Sequence, residues 1–330
     1  MSFEFRNLKR LGNSVSVSIS PDENGYLGRE CPEESCEGYF KIKPGTGLTG
    51  QDLPCICPYC GHKGPHNSFW TKAQVEYLHS LALRQVSDAI HKDLKQLEFD
   101  HKPRGAFGIG LSLKVKSGAP VPIRHYVEKE LETHVTCDQC TLEYAVYGVF
   151  AYCPDCGAHN SLQILQKNLD LALKQLSLAD TVTERDLKEH LTGDALENCV
   201  STFDGFAREV CRIRAAKSTD PSQCESLSFQ NLPRAAIRMQ KLFGIDLASC
   251  VPPAEWQAAH IGFMRRHLLA HRAGVVDQQY LGETGEPPAH LGRKLVVSAA
   301  EVRTLAGVVL QIARHFISKL PAPNKSKALP

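Results

Sequence analysis

The sequence predicts a multi-domain architecture: small β-rich cysteine modules with an intervening helix and strands, followed by an all-α helical bundle. Three observations predict it. Eight of the thirteen cysteines stand in close pairs before residue 160. Apolar and polar residues alternate with the period of a strand over 3–20 and 107–115, and from 162 onward apolar residues recur at helical spacing. At 330 residues the chain has room for two or three domains, and its 42% hydrophobic content is that of a globular protein. A net charge of +2 argues against binding polyanions through bulk charge, though a local basic patch can still do so. No apolar run approaches the roughly 20 residues of a membrane span, and residues 1–10 lack the apolar core of a signal peptide. The sequence therefore predicts a cytoplasmic chain with no membrane contact. In that compartment closely paired cysteines bind metal more readily than they form disulfides.

Taken in order, residues 1–26 read as N-terminal strands, with Val15, Val17 and Ile19 on one face. Residues 27–70 hold Cys31, Cys36, Cys57 and Cys60 among Gly- and Pro-rich connections. In 71–134, Thr71-Lys-Ala-Gln74 has the form of a capping box, and Val75, Leu78, Ala82, Val86, Leu94 and Leu97 predict one helix over 72–99. Past Pro103 the pattern changes to strand alternation through Phe107, Ile109, Leu111, Leu113 and Val115. Residues 135–160 hold Cys137, Cys140, Cys153 and Cys156, with a hairpin expected over 144–152. The bundle, 161–320, is expected to contain helices at 162–178, 183–191, 194–216, 233–243, 254–273 and 298–319. Pro233 and Pro253 sit at helix starts, and Ser298-Ala-Ala-Glu301 is a second capping box. Residues 321–330 read as a tail.

Two of the cysteine pairs read C-P-Y-C-G (57–61) and C-P-D-C-G (153–157). Thiolates separated by two residues point at one ion when a tight turn ending in glycine curls the backbone around it, and a second pair completes a closed tetrahedron. Two zinc ribbons, each with one structural zinc ion, are the expectation. Around the first, Cys55, His62 and His66 compete as ligands and leave its donor set open. Redox chemistry is disfavoured because no βαβ unit surrounds the pairs. Catalytic zinc is disfavoured because four thiolates leave no position for water. Cys199, Cys211, Cys224 and Cys250 read as small buried hydrophobes. Lys41, Lys43 and Lys63 lie among Tyr39, Phe40, Phe69 and Trp70, which would either stack on single-stranded bases or fill the ribbons' own cores. Glu30, Glu33, Glu34 and Glu37 weigh toward the second.

The stretch 256–274, WQAAHIGFMRRHLLAHRAG, carries a second signal. His260, His267 and His271 fall within about 40° of one another around a helix. A zinc protease would need H-E-x-x-H, and Leu-Leu-Ala intervenes here. Cations before a terminal glycine complement a helix dipole, which accounts for the charge but not for histidines at apolar spacing. Arg266-His267-Leu-Leu-Ala-His271 resembles the R-x(4–6)-H motif of the HEPN superfamily, in which a polar residue commonly comes after the arginine. Gly274-Val-Val-Asp-Gln-Gln-Tyr-Leu281 resembles the segment C-terminal to that motif in a bacterial subgroup. The likeness covers the helical half, most specifically 263–281, and the ribbons lie outside the family's pattern. It implies a HEPN-like bundle acting as a metal-independent endoribonuclease, toxin-like or defence-related. His271 would be the acid/base, Arg266 the phosphate clamp and His267 an assisting group. It also implies a homodimer that brings two motifs to one cleft. The ribbons would recognise the RNA target or a protein partner. RNA carries its own nucleophile, so a histidine titrating near neutrality and a fixed arginine suffice for the chemistry. The alternative is a non-catalytic zinc-ribbon module that binds nucleic acid or protein, with a dimerising helical domain. A plain helical scaffold with a basic helix end is a third reading.

Overall fold

The computed structural model describes residues 3–12, 14, 16–49, 53–101, 111–116, 118–131 and 133–320. The chain divides into two compact units, Met1–Gly148 with Pro154–Cys156, and Val149–Cys153 with Gly157–Leu329.

The first unit begins with α1 (Arg6–Arg10) where strands were expected. Later in the same unit comes the long helix α2 (Lys72–Lys95), and its Asp93 explains the difference. The Asp93 carboxylate accepts hydrogen bonds from the Asn7 and Leu8 N–H groups and the Asn7 amide at 2.6–2.9 Å, satisfying the otherwise orphaned donors of a helix start. Burial opposes its charge, but those N–H donors outweigh it and hold the carboxyl below its ordinary range. Val15 lies outside the described residues. The α2 capping box forms as expected, with Thr71 Oγ1 accepting from Gln74 N–H and the Gln74 side chain accepting from Thr71 N–H. The helix ends at Lys95, not at 99, because Phe99 already belongs to a strand.

The strands are β1 (Leu27–Glu30), β2 (Tyr39–Ile42), β3 (Pro54–Ile56), β4 (Lys63–Pro65), β5 (Phe99–His101), β6 (Leu111–Leu113), β7 (Thr133–Thr136) and β8 (Glu143–Val146). β5 pairs with β6 in a small antiparallel ribbon, while the expected strand residues Phe107 and Ile109 lie outside the described residues. The two cysteine modules are not separate: β1, β2, β8 and β7 form one antiparallel sheet in that order. β2 meets β8 with Lys41 opposite Ala145 and Ile42 opposite Tyr144. The second hairpin is also displaced from 144–152, since β7 and β8 flank Cys137 and Cys140 instead of bridging the two cysteine pairs. Tyr39, Phe40, Phe69, Tyr144 and Ala145 are buried in this unit, with the Phe40 and Phe69 rings edge to face at 5.9 Å. Trp70 is half-buried and stacks on the Arg29 guanidinium at 4.6 Å. The rings thus fill the module, and none of Tyr39, Phe40 and Phe69 offers a face to a nucleic-acid base.

The second unit is helical: α3 (Ser161–Thr181), α4 (Arg185–Arg212), α5 (Pro221–Cys224), α6 (Leu232–Phe243), α7 (Pro253–Arg272), α8 (Gln278–Thr284) and α9 (Ala299–Lys319). The expected break near Gly193 does not occur, and α4 runs on as one helix. Glycine inside a helix costs about 1 kcal/mol. Here Thr192, Gly193, Ala195 and Leu196 are all buried, so tertiary packing overrides that local preference. α5 and α8 were not expected, because each is a short turn started by an aspartate cap, Asp220 or Asp277. Phe203, Phe206, Phe229, Phe263 and Phe316 interlock at the centre. Phe263 of α7 meets Phe203 edge to face at 6.0 Å. α7 also lies close to α9, since a Cβ on Gly262 would come within 3.1 Å of Leu305. These contacts fix which face of α7 turns outward. Cys199, Cys211 and Cys224 are buried as small hydrophobes, and Cys250 is partly buried.

Near the start of this unit Glu209 accepts two hydrogen bonds from Arg212 at 2.8 Å and lies 3.4 Å from His159 Nε2. Burial opposes its charge, but His159 and Arg212 prevail and hold the carboxyl down to about 2. A carboxylate more acidic in the folded state contributes stability above its unfolded pKa and loses it as pH falls toward the folded one. The contribution, on the order of 3 kcal/mol, should therefore vanish between about pH 5 and pH 2. Glu209→Gln should lower unfolding stability at pH 7, with the gap to wild type closing on acidification. A gap independent of pH in denaturant titrations would contradict this account.

Candidate metal centres and the outer face of α7

All four cysteine turns use the same backbone device. The N–H of the first cysteine crosses the turn to a carbonyl: Cys31 to Gly38, Cys57 to His62, Cys137 to Leu142 and Cys153 to Ala158, at 2.8–3.0 Å. The residue after the second cysteine is left-handed in each turn, namely Glu37 (φ 41°), Gly61 (74°), Thr141 (63°) and Gly157 (72°). Glycine adopts that conformation freely, whereas Glu37 and Thr141 do so at roughly 1–2 kcal/mol each. The middle residues of the C-P-x-C-G turns are also used. Tyr59 donates its hydroxyl to the Tyr39 carbonyl at 2.6 Å and accepts from Tyr147 N–H at 2.9 Å. Asp155 accepts from Leu48 N–H at 2.9 Å.

These turns bring Cys31, Cys36, Cys57 and Cys60 together in one cluster, and Cys137, Cys140, Cys153 and Cys156 in another, the sulfurs of each lying within 4.8 Å of one another. Cys31 and Cys60 are 3.7 Å apart, Cys36 and Cys57 3.7 Å, and Cys137 and Cys156 3.6 Å. A tetrahedral zinc with bonds of about 2.3 Å needs sulfurs about 3.8 Å apart, whereas a disulfide needs about 2 Å. The donor sets fit two structural zinc ions. Backbone N–H groups of His62 and Gln139 point at the Cys60 and Cys137 sulfurs at 3.4 Å, which orients ligands and disperses thiolate charge. Crowding supplies the affinity. The hydrogen bonds to Cys31 and then Cys60 push the Cys57 thiol far above its ordinary value, so four thiolates coexist only around a cation.

The structure also settles the first donor set. Cys55 is wholly buried on β3 outside both clusters, and burial pushes its thiol up to about 12. His62 lies 3.3 Å from Glu33, and neither it nor His66 joins the four sulfurs.

On α7, the three residues singled out from sequence are not all brought together. His267 and His271 are exposed with ring centroids 4.9 Å apart, and neither makes a hydrogen bond or ion pair among the described residues. Arg266 leaves the axis about 140° away from His271. Its Nη1 donates to Gln230 at 3.0 Å, its Nε is buried without a partner, and among the described residues it pairs with no carboxylate. Arg265 differs: it donates to the Tyr280 hydroxyl and Glu286 at 3.0 Å and also pairs with Glu301, so it serves the fold. Beyond the histidines, Ala273 and Gly274 are both left-handed, and Gly274 N–H closes the helix onto the Leu268 carbonyl at 3.0 Å.

Beside this face, α6 and α7 bound a groove of about 410 Å³. α7 contributes His260, Phe263, Met264 and His267, and α6 contributes Arg234 and Arg238. No aspartate or glutamate lines it. Sequence reasoning missed these arginines, although their separation of four on the expected 233–243 helix placed them on one face. Family models, curated proteins and solved structures were compared with the chain, and none matches it. Among the described residues no helix is long and apolar enough to cross a membrane.

Proposed function

We propose that the helical unit is a metal-independent endoribonuclease of HEPN type, and that the ribbons recognise its RNA target or a protein partner. The observation that carries the reading is the outer face of α7. It presents two adjacent unpaired imidazoles and an arginine with no acidic partner, beside a groove with cations and no carboxylates. A structural arginine would normally be paired, as Arg265 is. In the proposed reaction His271 takes the proton of the ribose 2′-hydroxyl as the 2′-oxygen bonds to phosphorus. The bond from phosphorus to the 5′-oxygen breaks, and the proton is returned to that oxygen. Arg266 stabilises the charge on the phosphoryl oxygens, and His267 orients or assists His271. Because Arg266 and His271 diverge on one helix, the reading needs a second copy to complete each site, hence a homodimer. Recognition by the ribbons falls to exposed charged residues such as Glu33, Glu34 and Lys63, since the rings are buried.

For a lone copy the same divergence favours the second reading, a module that binds nucleic acid or protein without cutting. The zinc-loaded full chain should sediment as a dimer at micromolar concentration and release RNA fragments ending in 2′,3′-cyclic phosphate with no added divalent ion. A monomer that binds RNA and leaves it intact supports the second reading and removes the first.

A further inference from the structure

The groove between α6 and α7 extends away from His271 along the side of α7 that carries His267 and His260. His260 is only 8% exposed, yet its Nδ1 is buried with no hydrogen-bond partner. Its Nε2 lies 3.9 Å from Glu283, too far for a hydrogen bond. A buried imidazole nitrogen has lost its water, and nothing in the protein replaces it. Across the groove the Arg234 guanidinium makes no hydrogen bond or ion pair among the described residues, and that of Arg238 has only a 3.4 Å bond to the Ser226 carbonyl. Arg234 lies in the first turn of α6, whose dipole adds positive potential there. Phe263 and Met264 give the groove an apolar floor, and its volume of about 410 Å³ exceeds what a bare phosphate needs.

We infer that this groove is a nucleotide subsite of the proposed ribonuclease. In it Arg234, Arg238 and His260 hold the phosphate next to the one being cut, and the attached nucleoside rests on Phe263 and Met264. The inference rests on the proposed function for its ligand, single-stranded RNA. None of the three residues takes part in bond making or breaking. They set where the strand lies and therefore which bond reaches His271.

The test uses the zinc-loaded full chain with His271→Ala as background, so that binding is read without cleavage. The probe is a short single-stranded RNA of mixed sequence, titrated across a range of salt concentrations. Arg234→Ala and Arg238→Ala should each weaken binding about tenfold. Each should also reduce the slope of log affinity against log salt by about 0.7, the signature of one lost phosphate contact on a single strand. His260→Gln should weaken binding several-fold while leaving the melting temperature near that of the background. Unchanged affinity and salt slope in both arginine variants would overturn the inference, even if the wild type cuts RNA. Losses in all three variants with an uncut wild-type substrate would leave the subsite standing and remove the enzyme. A nucleoside 5′-monophosphate that binds as tightly as the oligonucleotide would overturn the assignment to an RNA strand in favour of a free nucleotide.

Discussion

Removing zinc at neutral pH should unfold the cysteine modules while the helical core persists. The sheet of the first unit is built from four-residue strands, and its residues Tyr26, Tyr39, Leu131 and Ala145 form only a small apolar cluster. A core of that size cannot offset the entropy of ordering the chain, so metal binding provides the folding free energy, on the order of 10 kcal/mol per ion. By contrast, the helical cluster from Leu165 to Leu320 contains none of the eight ligands. Purified protein should carry close to two equivalents of zinc. In a strong chelator, amides of β1, β2, β7 and β8 should lose protection from hydrogen exchange while those of α4 and α9 keep it. Cys57→Ser and Cys153→Ser should each lower the zinc content to about one equivalent. One equivalent in the wild type, or a disulfide within either quartet, would contradict the assignment.

The elements legible in the sequence were those whose determinants are local. Thr71 with Gln74 and Ser298 with Glu301 each satisfy helix-start donors within four residues, so both capping boxes announced their helices. The two-residue spacing of Cys57 and Cys60 fixes their sulfurs through a single turn, and it marked the metal sites equally well. What could not be read depends on distant partners. The pairing of β2 with β8 joins residues about a hundred positions apart, and the helix at 6–10 exists because Asp93 caps it from α2. Gly193 looked like a break because its burial against other helices leaves no trace in nearby residues. On α7 the motif residues were legible, but their orientation was not. Arg266 turns toward Gln230 because the Phe263 face is held in the core. The groove was invisible because Arg234 belongs to a different helix from the histidines.

The second large effect concerns cleavage. Replacing His271 by alanine removes the proposed proton carrier and should lower the rate of RNA cleavage by about 10²–10⁴-fold. Arg266→Ala removes the proposed phosphate clamp, with an expected loss of about 10²–10³-fold. His271 is exposed and makes only the ring contact with His267, so its loss should change stability by no more than about 0.5 kcal/mol. Arg266 gives up a single bond to Gln230, worth about 1 kcal/mol. Activity and stability should therefore separate, and a plain basic helix end does not predict that separation.

The most direct measurement is the cleavage of end-labelled single-stranded RNA by the zinc-loaded wild-type protein and its His271→Ala variant, side by side and with no divalent ion added. A HEPN-type nuclease predicts fragments with 2′,3′-cyclic phosphate ends from the wild type and almost none from a variant with the same melting temperature and zinc content. RNA bound but left intact by the wild type, or cut equally well by the variant, would contradict it.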